Sequence, residues 1–304
     1  MQNPPSTIHH PISTIPHTPY PRRVGLLAGW GRFPIVVAEA LKEQGYAVSC
    51  LGIVDHADPS LAKICDEFSW QGMAKLGRAI RYFQKRGIHQ ATMAGKIHKV
   101  VLYQPWIWLR HLPDWRALKT FYPHFVASRE DRKDDTLLGV VVQAFAAEGI
   151  RFGPATDYAP ELLVKEGQLT GRPLSTAEQA DVDFGWRLAK EMGRLDVGQS
   201  VCVKDRAVLA VEAIEGTDEC IRRAGELCRK RGFTVVKVAK PQQDMRFDVP
   251  TIGLGTLETM LAAGARILAV EAGRTILLDE PEFLAYASRH KLVVVALREA
   301  SPAL

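Results

Sequence analysis

The fold class is set by residues 24–34, whose sequence is VGLLAGWGRFP. The first five residues form a largely apolar run of strand length, and two glycines then flank a tryptophan in a tight turn. The proline that ends the stretch suits the first turn of a helix. Apolar residues recur at helical spacing over Ile35–Gln44, and Gly45 ends that pattern. The stretch therefore predicts a strand, a glycine-rich turn and a helix.

The same alternation continues down the chain, with predicted strands at Ala47–Val54 and Ile88–Ala94 and a predicted helix at Met73–Arg86. Strands that alternate with helices indicate a mostly parallel sheet covered on both faces. Ligands on such sheets bind beyond the carboxyl ends of the strands. We expect a binding site there, formed by Gly29, Trp30, Gly31, Asp55 and Lys96.

A second α/β unit follows, introduced by a capping box at Ser175 and Glu178. We predict two α/β domains joined by a linker, the N-terminal one Rossmann-like. The predicted boundaries are a disordered leader at 1–22, the first domain at 23–155, the linker at 156–174 and the second, catalytic domain at 175–304.

Composition is that of a soluble globular protein, with 304 residues and a formal net charge of +5. No Lys/Arg stripe interleaves with aromatics, so we predict no nucleic-acid partner. The five cysteines form no C-x-x-C pair, and reduced, buried thiols in a cytoplasmic protein are expected. No apolar run is long enough to span a bilayer.

The glycine-rich turn at 29–31 allows a second interpretation, a nucleotide-dependent oxidoreductase. The usual dinucleotide fingerprint has a further glycine where Pro34 stands, and we find no histidine suited to proton transfer. The turn could still offer backbone NH groups to a phosphate or a base.

The densest functional pattern is the turn-rich run from Lys240 to Thr256, which contains RFDVPTIG at 246–253. It combines cations, carboxylates, glycine and threonine just before a predicted helix. Such a loop is either a helix cap or a site for a phosphate and a metal ion.

Acidic loops also follow predicted strands, at Glu212–Asp218, Asp244–Asp248 and Glu271. If their carboxylates converge beside Lys240 and Arg246, they form a Mg²⁺–phosphate site. A further acidic pair, Asp134 and Asp135 after Lys133, starts a predicted helix; it is either a cap or part of the metal site. The predicted metal ligands are Asp134, Asp135, Glu212, Glu215, Asp218, Asp248 and Glu271.

An aromatic segment at 102–124 interrupts the α/β pattern with three tryptophans, Trp106, Trp108 and Trp115, beside Arg110, Arg116 and Lys119. It is a buried helical insertion, a cover over an apolar ligand, or a patch that touches a membrane surface.

Several linked motifs give the chain a family resemblance over about Val24–Leu297. They are LLAGWGRFP at 26–34, GK at 95–96, KDDTLL at 133–138, GRLDVGQ at 193–199, AVEAIEGTD at 210–218, KPQ at 240–242, RFDVPTIG at 246–253 and EAG at 271–273. With these motifs in this order, the chain resembles the LpxI-type UDP-2,3-diacylglucosamine pyrophosphatases of lipid A biosynthesis.

The resemblance implies two α/β domains with a lipid-linked UDP-sugar between them, a divalent cation, commonly Mg²⁺, and an essential aspartate at Asp248. It implies hydrolysis to UMP and 2,3-diacylglucosamine 1-phosphate, peripheral contact with the inner-membrane surface and a possible homodimer. The expected substrate-binding residues are Gly29, Trp30, Gly31, Lys96, Lys133, Thr217, Lys240, Arg246, Thr251 and Gly253. A nucleotide-sugar or lipid sensor without turnover is the non-enzymatic alternative.

Overall fold

The computed structural model describes residues 22–97, 112–126, 134–246 and 249–298. These residues form two α/β units, as the alternation of strand and helix patterns predicts. The predicted leader lies outside the described residues except for Arg22, whose carbonyl accepts a hydrogen bond from the Ala47 amide.

The first unit contains a five-stranded sheet in the order β3-β2-β1-β4-β5, with every pair parallel. Its strands are β1 (Arg23–Ala28), β2 (Ala47–Ile53), β3 (Glu67–Gln71), β4 (Gln90–Ala94) and β5 (Arg151–Gly153). Its helices are α1 (Phe33–Glu43), α2 (Leu61–Ile64), α3 (Leu76–Gln84), α4 (Trp115–Val126) and α5 (Asp134–Ala146). The strand order reverses between β1 and β4, which is where ligands bind on such sheets.

The second unit contains a six-stranded sheet in the order β6-β13-β11-β9-β7-β8 and a two-stranded sheet of β10 and β12. Its strands are β6 (Gly167–Thr170), β7 (Ser200–Lys204), β8 (Ala207–Val211), β9 (Phe233–Lys237), β10 (Thr251–Ile252), β11 (Ala265–Glu271), β12 (Ile276–Leu277) and β13 (Val293–Leu297). Its helices are α6 (Thr176–Arg194), α7 (Thr217–Leu227), α8 (Leu254–Ala263) and α9 (Glu280–Arg289).

Strand directions in the larger sheet bring several loops to one edge. β9, β11 and β13 are parallel, and β7 is antiparallel to both β8 and β9. The ends of β8, β9, β11 and β13 and the start of β7 therefore share one edge. We call it the carboxyl edge of the second sheet.

Four strands escaped the sequence patterns: β3, β5, β6 and the two-residue β10. β3 has the polar sequence EFSWQ, and β5 has only three residues. β6 lies inside the segment predicted as a linker, 156–174, and pairs antiparallel with β13. Thr170 of β6 pairs with Val294 of β13, which lies far away in the sequence. No local pattern therefore reveals that pairing.

The predicted capping box starts α6. The Glu178 amide donates to Ser175 Oγ over 3.3 Å, and the Ser175 amide donates to Glu178 Oε2 over 2.8 Å. Hydrogen bonds from Arg172 are the largest cause of a Glu178 pKa lowered to about 2. Both Glu178 oxygens are thus engaged, which fixes the entry of the helix.

Apolar side chains cover both faces of each sheet. Phe83 and Phe145 are fully buried in the first unit, and Phe233 and Phe283 in the second. All five cysteines are buried and free, as expected for reduced thiols.

A close contact between α7 and α8 depends on a glycine. A Cβ added at Gly225 would lie 2.6 Å from the Ala263 carbonyl oxygen, which is closer than real Cβ atoms approach. The two helices can pack at this distance only because position 225 has no side chain.

We therefore expect Gly225→Ala to destabilise the protein by about 1–3 kcal/mol through overpacking. Gly139→Ala is the matched control, because a Cβ on that helical glycine meets nothing within 4 Å. The control should be neutral or stabilising by up to about 1 kcal/mol. Urea denaturation of both variants measures the difference, and equal stability of the two would contradict the steric argument.

Candidate functional site

The switch point of the first sheet is closed by backbone hydrogen bonds. The amide of Gly29 donates to the Ala94 carbonyl over 2.8 Å, and Trp30 and Lys96 exchange amide-to-carbonyl bonds of 2.8 and 3.0 Å. The turn after β1 is thereby joined to the turn after β4. The Gly29 and Trp30 amides are used within the protein, so the expectation that they are offered to a ligand is wrong for these two groups.

Glycine is required on both sides of this junction. A Cβ at Gly29 would lie 2.7 Å from the Lys96 carbonyl oxygen, and Gly95 has a φ of +93°. Gly31, with a φ of +106°, has open space around its Cβ position, and the neighbouring Trp30 is 50% exposed. The surface available to a ligand here is therefore the Trp30 side chain and the Gly31 backbone.

One ion pair connects this loop to the second unit. Arg32 Nη2 lies 3.3 Å from Asp279 Oδ1, and Asp279 holds a left-handed φ of +50° before α9. The hydrogen bond that the Arg32 guanidinium donates to Asp279 is the main cause of a raised Arg32 pKa. Both side chains are partly exposed, so this pair sets the position of the loops more than it stabilises them.

A buried ion pair organises the carboxyl edge of the second sheet. Glu271, at the end of β11, is 3% exposed and accepts hydrogen bonds from Lys190 Nζ over 2.8 and 2.9 Å. Its Oε2 also accepts from the Ala239 amide over 2.7 Å, while Lys190 donates to the Ala239 carbonyl over 3.3 Å. The pair therefore binds both the amide and the carbonyl of Ala239, just before the loop that begins at Lys240.

A second buried lysine holds the other end of that loop. Lys237 is 5% exposed, and its Nζ donates to the Thr251 carbonyl over 2.9 Å. The Thr251 hydroxyl donates to the Val249 carbonyl over 3.0 Å. α8 starts after Gly253, which caps it without a side chain, so the first amides of the helix face this loop.

Between these two ends, the predicted cations are each engaged with a carboxylate. Lys240 Nζ donates to Asp196 Oδ1 over 2.7 Å, and Arg246 Nε donates to Asp244 Oδ1 over 2.9 Å. The Arg246 hydrogen bond is the main cause of a lowered Asp244 pKa. Lys190, Lys237 and Arg274 are further cations beside the loop.

The loop after β8 holds a smaller polar cluster. Glu212 is 8% exposed, and its Oε1 accepts a 3.0 Å hydrogen bond from the Thr217 hydroxyl, which lies 3.2 Å from Ser200 Oγ. Glu215 is paired with Arg223 instead. Asp218 lies in the first turn of α7, where its charge is favourable to the helix dipole.

The predicted convergence of carboxylates is not present in the part of the chain that the structure describes. Within it, no three His, Cys, Asp or Glu side chains form a group that could hold a metal ion. Glu212 and Glu271 share the carboxyl edge, but their strands β8 and β11 are separated by β7 and β9. Strand spacing alone places them roughly 14 Å apart.

Other predicted site residues lie outside the described residues. These are Lys133 and Asp248, the aromatic-segment residues Trp106, Trp108 and Arg110, and the side chains of Asp134 and Asp135 at the start of α5. Their predicted roles stay predictions.

Sequence reasoning missed Lys190 and Lys237. A signal was present for both, because Lys237 ends the apolar run FTVVK and Lys190 lies on the buried side of α6 beside Ala189. A lysine inside an apolar pattern is rarely buried unless it has a partner.

The buried pair predicts a double-mutant cycle. Lys190→Met or Glu271→Gln alone should cost about 3–5 kcal/mol, because each leaves a buried polar group without its partner. The double variant Lys190→Met/Glu271→Gln should cost less than the sum of the single changes. Chemical denaturation measures all three, and additive losses would contradict direct coupling of the two side chains.

Comparison with known proteins gives matches over both units. Residues 23–162 match a family model described as the LpxI N-terminal domain, and residues 165–295 match the LpxI C-terminal domain. The chain is 31% identical over 285 residues to a protein of Caulobacter vibrioides named UDP-2,3-diacylglucosamine pyrophosphatase LpxI. That alignment covers 91% of this chain and 98% of the relative.

The two domain matches follow each other in the same order as the two α/β units, and the alignment with the relative runs through both. The resemblance inferred from short motifs is therefore confirmed, and the chain belongs to the LpxI family.

Proposed function

We propose that this protein hydrolyses the pyrophosphate bond of UDP-2,3-diacylglucosamine, giving UMP and 2,3-diacylglucosamine 1-phosphate for lipid A biosynthesis. The observation that carries the proposal is the similarity over nearly the full length to a relative named for that activity. The glycine-rich turn gives no independent support to an oxidoreductase, because two of its amides are used within the protein.

The electrostatics of the second unit suit a diphosphate. Lys240 and Arg246 lie in the loop, Lys237 binds its far end, and the start of α8, which has no side-chain cap, adds the positive end of a helix dipole. A pyrophosphate diester is negatively charged and repels an approaching hydroxide. Cations fixed around the loop therefore lower the cost of bringing a nucleophile to phosphorus.

We propose Mg²⁺ as the cofactor on the family resemblance; among the described residues no carboxylates gather into a metal-binding group. Mg²⁺ prefers oxygen ligands and binds through one or two carboxylates while keeping waters and substrate phosphate oxygens. Glu215 and Glu271 are each paired with a cation, so neither is proposed here as a ligand. We propose Asp248 as the principal ligand, with Asp134 and Asp135 as further candidates; the ion would supply charge neutralisation on the phosphates.

In the reaction, a water oxygen forms a bond to one phosphorus as the bridging P–O bond breaks. We propose that Asp248 orients this water and accepts its proton. Lys240 and Arg246 hold the phosphate oxygens, and the leaving phosphate takes the electron pair of the broken bond. The hydrogen bonds of Glu271 to the Ala239 amide and of Lys237 to the Thr251 carbonyl hold the two ends of the loop that carries Asp248.

We propose that the enzyme collects its substrate at the cytoplasmic face of the inner membrane, because the acyl chains partition into bilayers. No helix among the described residues is long and apolar enough to cross a membrane. On α4, Trp115 is 80% exposed and Leu118 is 49% exposed, beside the exposed Lys119. Aromatic and basic side chains of this kind suit the headgroup region.

A homodimer is proposed on the resemblance alone, and light scattering tests it.

Asp248→Asn should fold and lose at least about 100-fold in kcat, since it removes a positioned base or metal ligand. Asp244→Asn is the matched control in the same loop, and it should lose much less. The assay follows UMP release from UDP-2,3-diacylglucosamine with EDTA or with Mg²⁺. Near-normal turnover by Asp248→Asn would reject its role. Tight substrate binding by the unaltered protein without UMP release would favour a sensor.

The double variant Trp115→Ser/Leu118→Ser should bind anionic liposomes several-fold more weakly than the unaltered protein, because it removes the exposed apolar contact. Ile214→Ser is the control, since Ile214 is 92% exposed but lies in the second unit. Liposome flotation at low and high salt measures binding. Equal flotation of the double variant, or none of the unaltered protein at low salt, would reject this surface.

A further inference from the structure

Three buried polar atoms at the carboxyl edge of the second sheet lack a hydrogen-bond partner among the described residues. They are Gln199 Oε1, Glu212 Oε2 and Gln243 Nε2. Glu212 and Gln243 are 8% and 7% exposed. Because native proteins pair nearly all buried polar atoms, these three atoms need partners from outside the described residues.

The three residues belong to adjoining parts of that edge. The Glu212 amide donates to the Ser200 carbonyl over 2.9 Å, and Gln199 precedes Ser200 at the start of β7. The Gln199 carbonyl in turn accepts from the Val238 amide over 3.0 Å. Gln243 folds back on the loop after β9, where its Oε1 accepts from the Lys240 amide over 2.8 Å.

The Glu212 carboxylate is held in one orientation by its surroundings. Thr217 donates to Oε1, and the Thr217 hydroxyl is itself 3.2 Å from Ser200 Oγ. A Cβ added at Gly198 would lie 2.1 Å from the Glu212 carbonyl oxygen, so the backbone at Glu212 is closely packed as well. Oε2 is therefore a fixed acceptor.

The unpaired atoms define the ligand that they can bind. Two are acceptors, Gln199 Oε1 and Glu212 Oε2, and one is a donor, Gln243 Nε2. A phosphate would satisfy only the donor and would be repelled by the carboxylate. A metal ion would satisfy only the acceptors. A sugar hydroxyl donates and accepts, so a polyhydroxyl ring satisfies both kinds of atom.

We propose that Glu212, with Gln199 and Gln243, forms a subsite for the hydroxyl groups of a sugar ring in the substrate. The proposal rests on the proposed function, in which the substrate is a UDP-linked sugar. Two rings carry this chemistry, the ribose of the nucleotide and the acylated hexosamine.

The two products distinguish these rings, because each product carries one of them. Calorimetry measures binding of UMP, 2′-deoxy-UMP and 2,3-diacylglucosamine 1-phosphate to the unaltered protein and to Glu212→Gln. Loss of a hydrogen bond to a buried charge predicts that the variant weakens one ligand by roughly 10- to 100-fold. Weaker UMP binding with unchanged 2′-deoxy-UMP binding assigns the ribose; weaker binding of the sugar phosphate alone assigns the hexosamine.

Glu219→Gln is the matched control, because Glu219 carries the same charge in the first turn of α7 and is paired with Arg222. It should change each affinity less than about twofold, as expected for an exposed pair. The Tm of Glu212→Gln without ligand should equal or exceed that of the unaltered protein, because the change removes a buried charge with an unsatisfied oxygen.

Several outcomes would overturn the subsite. They are unchanged affinities in Glu212→Gln, an equal loss for all three ligands, or a raised Mg²⁺ requirement with unchanged ligand binding, which would make Glu212 a metal ligand. If the unaltered protein binds neither of the two products, the proposed function itself fails, and the subsite fails with it.

Discussion

The buried contact among Lys190, Glu271 and Ala239 fixes the geometry on which the second unit depends. Removing an ammonium and a carboxylate from water costs several kcal/mol per ion unless each has well-placed partners. Here the partners come from α6, from the end of β11 and from the backbone just after β9. Three elements distant in sequence are thereby held in one arrangement, and the loop with the RFDVPTIG motif starts from it.

Close backbone approach plays the corresponding part in the first unit. The turns after β1 and β4 are joined by three amide-to-carbonyl bonds, which is possible because Gly29 and Gly95 carry no side chain. The Gly29 and Trp30 amides, which a dinucleotide-binding loop could offer to a phosphate, are used in this junction. The Trp30 side chain is exposed beside this junction, and the space around Gly31 is open.

Stability and function compete along the carboxyl edge of the second sheet. Several cations are gathered around one loop, and three buried polar atoms have no partner among the described residues. The unpaired atoms cost folding free energy, since a typical unsatisfied buried group costs about 1–3 kcal/mol. Such costs are expected where a ligand supplies the missing charge or hydrogen bond.

The sequence by itself determined the class of fold and the family. The run VGLLAGWGRFP predicted the first strand, turn and helix, and Ser175 with Glu178 predicted the start of α6, because these signals are local in the chain. The order of short motifs identified the family, which the domain matches confirm. The edge strands β3, β5 and β6 were missed because their pairing is non-local and their patterns are polar or short.

Tertiary structure decided which predicted residues meet. Loops that follow strands share an edge, but the strand order β11-β9-β7-β8 separates Glu271 from Glu212. A local sequence pattern predicts neither this strand order nor the side chains that pair with each carboxylate. The roles of Lys190 and Lys237 follow from their tertiary contacts. Lys190 on α6 binds Glu271, and Lys237 on β9 binds the Thr251 carbonyl. A charged side chain is buried only where distant groups satisfy it, and only the folded chain brings those groups together.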